Sequence, residues 1–137
     1  MSLYLDASVL MPIFIAEGRS RDAHAGLLGQ VLIVSDLAVT EFSAGVARRQ
    51  RIGDISASDA SALFAAFDAW VSQAAQRVAI ETGDLLLANS FLRRLDLGLR
   101  MPDAANLAIA QRYAATVFTF DKTIAAAAAA IGLSVQT

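Results

Sequence analysis

Short apolar runs alternate along this chain with longer segments of helical period. The apolar runs are too short for helices and predict buried strands at residues 2–5, 31–34, 77–80, 116–120 and 133–136. Strands that are apolar on both faces and are separated by helices are typical of a parallel sheet covered on both sides. The pattern therefore predicts an α/β fold, a three-layer α/β/α sandwich around a mainly parallel, short-stranded sheet.

Residues with capping side chains mark where the helices begin. Ser8, the Ser35–Asp36 pair and Thr82 each precede a segment of helical period, and Ser56 with Asp59 has the spacing of a capping box. The predicted helices cover residues 8–17, 23–28, 37–51, 55–74, 83–97, 102–114 and 122–130. One of them carries an apolar stripe that we expect in the core, formed by Phe64, Phe67, Trp70 and Val71.

Composition narrows the possible chemistry to carboxylates. The 137 residues contain no linker or repeat, so we expect one domain over residues 1–137. The absence of cysteine excludes disulfides and thiolate zinc sites, and the single histidine, His24, argues against imidazole-rich metal sites and Ser-His catalysis. With no basic leader and no membrane-length apolar run, we expect a cytoplasmic protein that makes no membrane contact.

Four acids fall where such a fold forms its sites. Asp6 follows the first predicted strand and Asp121 the fourth, while Glu41 lies about a turn into the helix after the second strand. Asp103 opens the helix that leads into the fourth strand, so its amino end can face the same edge. Sites in open parallel sheets form beyond the carboxyl ends of the strands. Each acid singly also fits a helix cap, a dipole partner or a solvated charge.

Together the acids indicate a cation site. Asp6, Asp103 and Asp121 stand among apolar residues, where isolated anions are poorly solvated. Two carboxylates about 4 Å apart repel by roughly 4 kcal/mol at an effective dielectric of about 20, so a cluster must take up protons or bind cations. Oxygen ligands without thiolates or imidazoles select Mg²⁺, with Mn²⁺ as the alternative. The residues thus predict a metal-dependent phosphoesterase.

Four segments in order, "YLDASVL", "SDLAVTEF", "MPDAANLAIA" and "VFTFDK", resemble the PIN-domain ribonucleases, most closely the VapC-type toxins of toxin–antitoxin pairs. The resemblance runs from Leu3 to about Val135. It implies that the four acids form a metal-binding catalytic quartet. It also implies an RNA substrate cut to leave a 5′-phosphate and a 3′-hydroxyl, a cognate antitoxin that covers the active-site groove, and a homodimer.

Other side chains are candidates for supporting roles. Ser8, Thr119 and Asn106 are spaced to orient a carboxylate or a water, although a helix cap, a strand position and surface exposure explain them equally well. Ten of the eleven cations are arginine, which favours planar phosphate contacts. The candidates for RNA contact, which also suit helix C-termini, are Arg48, Arg49, Arg51, Arg93, Arg94 and Arg100.

Two alternatives remain open from the sequence. A phosphatase of the haloacid dehalogenase type also begins with a strand followed by aspartate, but it needs a second aspartate where this chain has Ser8. A catalytically degenerate module that only binds RNA or its antitoxin would not need all four acids.

Overall fold

The computed structural model describes all residues from Met1 to Thr137. None of its helices is both long and apolar enough to cross a membrane. In chain order the elements are β1 Ser2–Leu5, α1 Ala7–Phe14, α2 Ser20–Gly26, β2 Val31–Ser35, α3 Asp36–Arg51, α4 Ala57–Ala74, β3 Ala75–Val78, α5 Thr82–Arg93, α6 Met101–Arg112, β4 Thr116–Phe118, α7 Lys122–Ala130 and β5 Val135–Gln136, with a 3₁₀ turn at Leu95–Leu97.

The five strands form one parallel sheet in the order β3-β2-β1-β4-β5. The central strand β1 pairs with β2 through Leu3 and Leu32, and with β4 through Leu5 and Phe118. From β1 the chain first builds outward to β2 and β3, then crosses to β4 on the other side. Such a reversal of strand order leaves a crevice at the carboxyl ends of the two strands concerned. This topology confirms the predicted α/β/α fold.

Two hydrophobic cores lie on the two faces of the sheet. Leu3 and Leu5 of β1 point into the core covered by α1 to α4, where Phe42 and Phe67 stack with ring centroids 3.9 Å apart. Tyr4, between them, points into the opposite core beneath α5, α6 and α7. Because successive side chains of a strand alternate between faces, β1 is buried on both sides.

The predicted apolar stripe of α4 packs as expected. Phe67 and Val71 are buried, and Phe64 and Trp70 pack against the same core at partial exposure. Ser56 caps this helix in a reciprocal capping box with Asp59.

Several predicted boundaries were wrong by a few residues. Ser8 is not the cap of the first helix, because α1 begins at Ala7 after Asp6 and ends at Phe14. The cap of α5 is Glu81 rather than Thr82, and this helix stops at Arg93 before a separate 3₁₀ turn. Strand β3 spans Ala75–Val78 instead of 77–80, because α4 passes into it without a loop. Strand β4 ends two residues earlier than predicted, at Phe118.

An ion pair between the buried Asp84 and the partly exposed Arg112 joins α5 to α6. Arg112 donates from Nε and Nη2 to the two carboxylate oxygens of Asp84 at 2.8 Å each, and from Nη2 to the Ala79 carbonyl. Burial alone would raise the pKa of Asp84, but the hydrogen bonds from Arg112 and from the Glu81 N–H lower it overall. Two parallel N–H···O bonds of this kind fix relative orientation as well as distance. The pair thereby holds the end of α6 beside the start of α5.

Gly26 provides a test of this packing. A Cβ atom at Gly26 would lie 2.5 Å from two ring carbons of Phe118, a core side chain that is only 1 % exposed. We expect Gly26→Ala to lower the free energy of unfolding by about 1–3 kcal/mol in urea titrations. The control is Gly83→Ala in α5, where nothing lies within 4 Å of the added methyl group, and which should be neutral or stabilising. Equal effects at the two glycines would contradict the described packing.

Candidate active site

The candidate site lies at the crevice between the carboxyl ends of β1 and β4. Asp6 leaves β1 there, and its backbone N–H still donates to the Phe118 carbonyl of β4 at 3.4 Å. Asp6 is only 3 % exposed, although its side chain is a carboxylate. Buried acids are rare unless paired with a cation, and no arginine or lysine forms an ion pair with Asp6.

Two hydroxyl groups satisfy the oxygens of Asp6. Ser8 donates to Oδ1 at 2.6 Å and Thr119 donates to Oδ2 at 2.8 Å. Each hydroxyl also accepts a backbone N–H, from Phe120 to Ser8 and from Asp121 to Thr119, so neither can rotate away without losing a bond. The two hydroxyls, one in the first turn of α1 and one directly after β4, therefore fix the orientation of the carboxylate.

Burial raises the pKa of Asp6 to about 6. The hydrogen bonds from Ser8 and Thr119 favour the charged form and reduce this increase, while the negative charges of Glu41 and Asp121 add to it. The carboxylate is thus ionised near neutral pH, at an energetic cost that a nearby cation would offset.

Asp121 stands at the start of α7 beside Asp6. Its Oδ1 accepts the backbone N–H groups of Thr123 and Ile124 at 2.9 and 3.0 Å, the usual arrangement of a helix N-cap. Its Oδ2 accepts no hydrogen bond from the protein. The helix start therefore orients this side chain and leaves one oxygen free.

Asp103 occupies the first turn of α6, as predicted, with Pro102 before it. Its Oδ2 accepts the backbone N–H of Arg100 at 3.0 Å, and the Nε atom of that arginine lies 3.9 Å from the same oxygen. The Oδ1 atom accepts nothing, and the residue is 8 % exposed. Here again a helix start holds one carboxylate oxygen and leaves the other free.

Glu41 reaches the site from α3 and is held by Asn106 of α6. The Asn106 Nδ2 group donates to Glu41 Oε1 at 2.7 Å and to the Pro102 carbonyl at 2.9 Å. Burial raises the pKa of Glu41, the hydrogen bond from Asn106 opposes this, and the charge of Asp103 adds to it. The Oε2 atom accepts no protein hydrogen bond.

The four carboxylates lie close enough to influence one another's charge in pairs. Asp6 is influenced by the charges of Glu41 and Asp121, and Glu41 by that of Asp103. No three of these side chains, nor any other three acidic or histidine side chains, are close enough to hold one ion. The fold thus brings the acids to one crevice without closing them into a coordination shell, as mutually repelling charges require.

The donor chemistry of the crevice suits a hard divalent cation. Three carboxylates each present one oxygen without a protein hydrogen bond, and each oxygen of Asp6 has a further lone pair. No buried side-chain oxygen or nitrogen in the molecule lacks a partner, so the three free oxygens are reached by solvent. Carboxylate oxygens are the type of ligand that Mg²⁺ and Mn²⁺ prefer.

The arginine candidates for RNA contact differ in their exposure and in the acids with which they pair. Arg100 adjoins Asp103, with a side chain that is 85 % exposed. Arg49 pairs with Glu17 at 3.0 Å and Arg94 pairs with Asp96 at 3.0 Å, while Arg48 is exposed at the end of α3 and makes no ion pair. Among these arginines, only Arg100 contacts one of the four acids.

Sequence reasoning gave no role at the site to Tyr4 and Ser35, whose buried side chains lie beside it. The Tyr4 hydroxyl lies 2.6 Å from Ser35 Oγ and donates to Asn106 Oδ1. Burial raises the pKa of this phenol far above its usual value, so it stays protonated. A tyrosine in the middle of a buried strand was the available signal, because its hydroxyl must find a partner.

Comparison with known proteins places this chain in a family. A family model for the PIN domain matches residues 3–130. Among solved structures, VapC20 of Mycobacterium tuberculosis, a Sarcin-Ricin loop cleaving toxin, has 18 % identity and a TM-score of 0.74 over 96 % of this chain and 95 % of that one. FitAB bound to an IR36 DNA fragment has 16 % identity and a TM-score of 0.75 over 98 % and 93 %.

A toxin–antitoxin complex from Klebsiella pneumoniae has 18 % identity and a TM-score of 0.69 over 100 % of this chain and 97 % of that one. No curated protein matches the sequence. At these identities the solved structures establish a shared fold. The family model covers nearly the whole chain, and it includes all four acids of the crevice. The chain belongs to the PIN-domain family.

Proposed function

We propose that this protein is a divalent-metal-dependent endoribonuclease that acts as the toxin of a toxin–antitoxin pair. The observation that carries the proposal is the crevice in which a buried, ionised Asp6 is flanked by three carboxylates, each with one free oxygen. Family membership supports a nuclease. The cleavage of the Sarcin-Ricin loop by VapC20 supports RNA as the substrate class.

One or two Mg²⁺ ions, or Mn²⁺ in their place, would be held by Asp6, Glu41, Asp103 and Asp121. Glu41 would bind the ion either directly or through a water molecule. A bound ion of this kind lowers the pKa of a water molecule and neutralises charge on a phosphate. Ser8 and Thr119 hold the Asp6 carboxylate in one orientation, and the helix starts of α6 and α7 do the same for Asp103 and Asp121. The protein's contribution is this preorganisation, together with a carboxylate that accepts the proton of the attacking water.

Arg100 is the arginine best placed to contact RNA. Its guanidinium is exposed beside Asp103, so it can bind a phosphate of a strand that enters the crevice. Arg48 is free for a more distant contact, whereas Arg49 and Arg94 would first have to leave their acidic partners. RNA cleavage by this protein would leave a 5′-phosphate and a 3′-hydroxyl, as the resemblance to PIN-domain ribonucleases implies.

An apolar groove between α1 and α4 suits a peptide partner. It has a volume of about 360 Å³ and is lined by Phe14, Ile15, Ile55, Asp59, Ala62 and Leu63. The Klebsiella pneumoniae relative is a toxin–antitoxin complex, which supports a cognate antitoxin as the occupant.

A second apolar area lies around the start of α5. Three large apolar side chains near the start of α5 are exposed to solvent. Ile80 is 39 % exposed, Leu85 is 50 % exposed and Leu86 is 69 % exposed. We assign this area to the contact between two copies of the chain, because burying it would recover hydrophobic free energy.

The other candidate functions make different demands. A phosphatase of the haloacid dehalogenase type would form a covalent phosphate on Asp6, and Ser8 stands where its second aspartate is required. A degenerate binding module would bind RNA without cleaving it. Incubation of the purified protein with RNA and Mg²⁺, followed by analysis of the products and of Asp6, separates the three.

Neutral replacement of the acids tests the proposed enzyme. We expect Asp6→Asn, Glu41→Gln, Asp103→Asn and Asp121→Asn each to reduce RNA cleavage at least about 100-fold, because each removes an anionic metal ligand. Asp68→Asn, on the exposed face of α4, is the matched control and should cleave like the wild type. If all variants degrade RNA equally and chelator does not stop them, the activity is a contaminant.

Folding of the inactive variants can be checked in the same samples. Since Asp6→Asn removes a buried charge, it should unfold at a higher temperature than the wild type in chelator at pH 7.5. The expected gain is about 1–3 kcal/mol, from a pKa raised by about two units.

The raised pKa of Asp6 predicts the pH dependence of cleavage. The carboxylate must lose its proton to bind a cation, so at sub-saturating Mg²⁺ the rate should rise with pH and level off above about 6. Below this point it should fall by at least about tenfold per pH unit. Ser8→Ala removes a hydrogen bond that stabilises the charged form, and should move the rising limb to higher pH. A flat profile between pH 5 and 7.5, or an identical limb in Ser8→Ala, would refute the assignment.

Charge placed in the apolar groove tests the antitoxin proposal. Ala62→Arg puts a long cation into the groove, and we expect it to weaken binding of a cognate antitoxin at least about tenfold in calorimetric titrations. Ala66→Arg lies one turn further along the same helix, is equally exposed, and should bind normally. Equal binding by both variants would place the antitoxin elsewhere.

A further inference from the structure

A buried chain of hydrogen bonds runs from β1 to Glu41 through residues that the catalytic scheme does not use. Ser35 Oγ accepts the backbone N–H of Ala38, which leaves its proton to donate to the Tyr4 hydroxyl at 2.6 Å. Tyr4 then donates to Asn106 Oδ1, and Asn106 donates to Glu41 Oε1. Tyr4, Ser35 and Asn106 are each no more than 2 % exposed.

The direction of this chain is set by its ends. Ser35 caps α3 and so has one proton to give. Asn106 Nδ2 also donates to the Pro102 carbonyl at 2.9 Å, and a flipped amide would put its oxygen against both that carbonyl and the Glu41 carboxylate. The amide must therefore face Glu41 with its N–H group, and its oxygen must accept from Tyr4.

The chain of hydrogen bonds also connects three segments that contain or adjoin three of the acids. Tyr4 lies in β1 two residues before Asp6, Ser35 begins the helix of Glu41, and Asn106 follows Asp103 by one turn of α6. Fully satisfied buried polar networks fix relative orientation, because any displacement leaves a buried group unpaired.

We propose that Tyr4 is a positioning residue for the cation site, acting on the Glu41 carboxylate through Asn106. It touches neither substrate nor cation. Its hydroxyl holds the Asn106 amide, which in turn holds one oxygen of Glu41 and leaves the other toward the crevice. The inference rests on the proposed function, since it takes Glu41 as a ligand.

Removal of one hydroxyl tests the proposal. Tyr4→Phe should bind Mn²⁺ about tenfold more weakly than the wild type in calorimetric titrations of the metal-free protein, the usual effect of losing a group behind a metal ligand. RNA cleavage should require correspondingly more Mn²⁺, with the KM for RNA unchanged. Tyr113→Phe, at the only other tyrosine, should leave both quantities as in the wild type. Wild-type affinity in Tyr4→Phe overturns the proposal.

A variant that already lacks the Glu41 carboxylate separates an effect of Tyr4 on Glu41 from a general loosening of the structure. In Glu41→Gln the anionic ligand is already lost, so adding Tyr4→Phe should weaken Mn²⁺ binding no further. A further tenfold loss in that background would show that Tyr4 acts on the whole site and would overturn the proposal. Wild-type protein that neither binds Mn²⁺ nor cleaves RNA would instead overturn the proposed function itself.

If Tyr4→Phe does not fold, a double variant still tests the proposal. Tyr4→Phe with Asn106→Leu removes both ends of the bond between the two side chains, so neither is left facing the other's unpaired group. Ser35, Glu41 and the Pro102 carbonyl each lose one bond, so thermal unfolding of the double variant is recorded alongside its Mn²⁺ titration. This double variant should show the same weakened Mn²⁺ binding, and no further loss in the Glu41→Gln background. Wild-type affinity in the double variant would overturn the proposal as well.

Discussion

The site depends on one buried charge that has hydrogen bonds but no counter-ion. Asp6 leaves the central strand at the point where the strand order reverses, and it is almost fully buried there. Its two oxygens are held by hydroxyls from Ser8 and Thr119, which are themselves fixed by backbone N–H groups. An ionised carboxylate in such surroundings is costly, and the charges of Glu41 and Asp121 make it more so. The fold supplies orientation, and in the proposed function a cation supplies the neutralisation.

The neighbouring acids are oriented by a shared device. Asp103 and Asp121 sit at helix starts, where backbone N–H groups have no helical partner and bind one carboxylate oxygen. Glu41 lies inside a helix and has no such group available, so a side chain, Asn106, takes this role. Tyr4 extends this support into the core. Ordinary capping and the proposed metal site therefore use the same residues without conflict.

Much of this was accessible from the sequence. Alternation of short apolar runs with helical periods gave the layers and the parallel sheet, and the position of Asp6 and Asp121 after strands predicted the edge of the sheet that carries the acids. Helix ends and the limits of β3 and β4 were less accessible, because packing rather than local propensity decides them. Spacing made Ser8 and Thr119 candidates to orient a carboxylate, but the bond from Thr119 to Asp6 joins residues 113 positions apart, so the sequence does not show which acid the two hydroxyls hold. The role of Tyr4 was less accessible, because it depends on which atom of Asn106 faces the phenol.

The central claim is that the four acids share a divalent cation in the folded protein. A crystal structure of the wild type grown with Mn²⁺, with the ion located by its anomalous scattering, tests it most directly. The account predicts a peak in the crevice with the Asp6 carboxylate and the free oxygens of at least two of Glu41, Asp103 and Asp121 about 2 Å away. Carboxylates that remain apart in saturating Mn²⁺, with no anomalous peak between them, would contradict it.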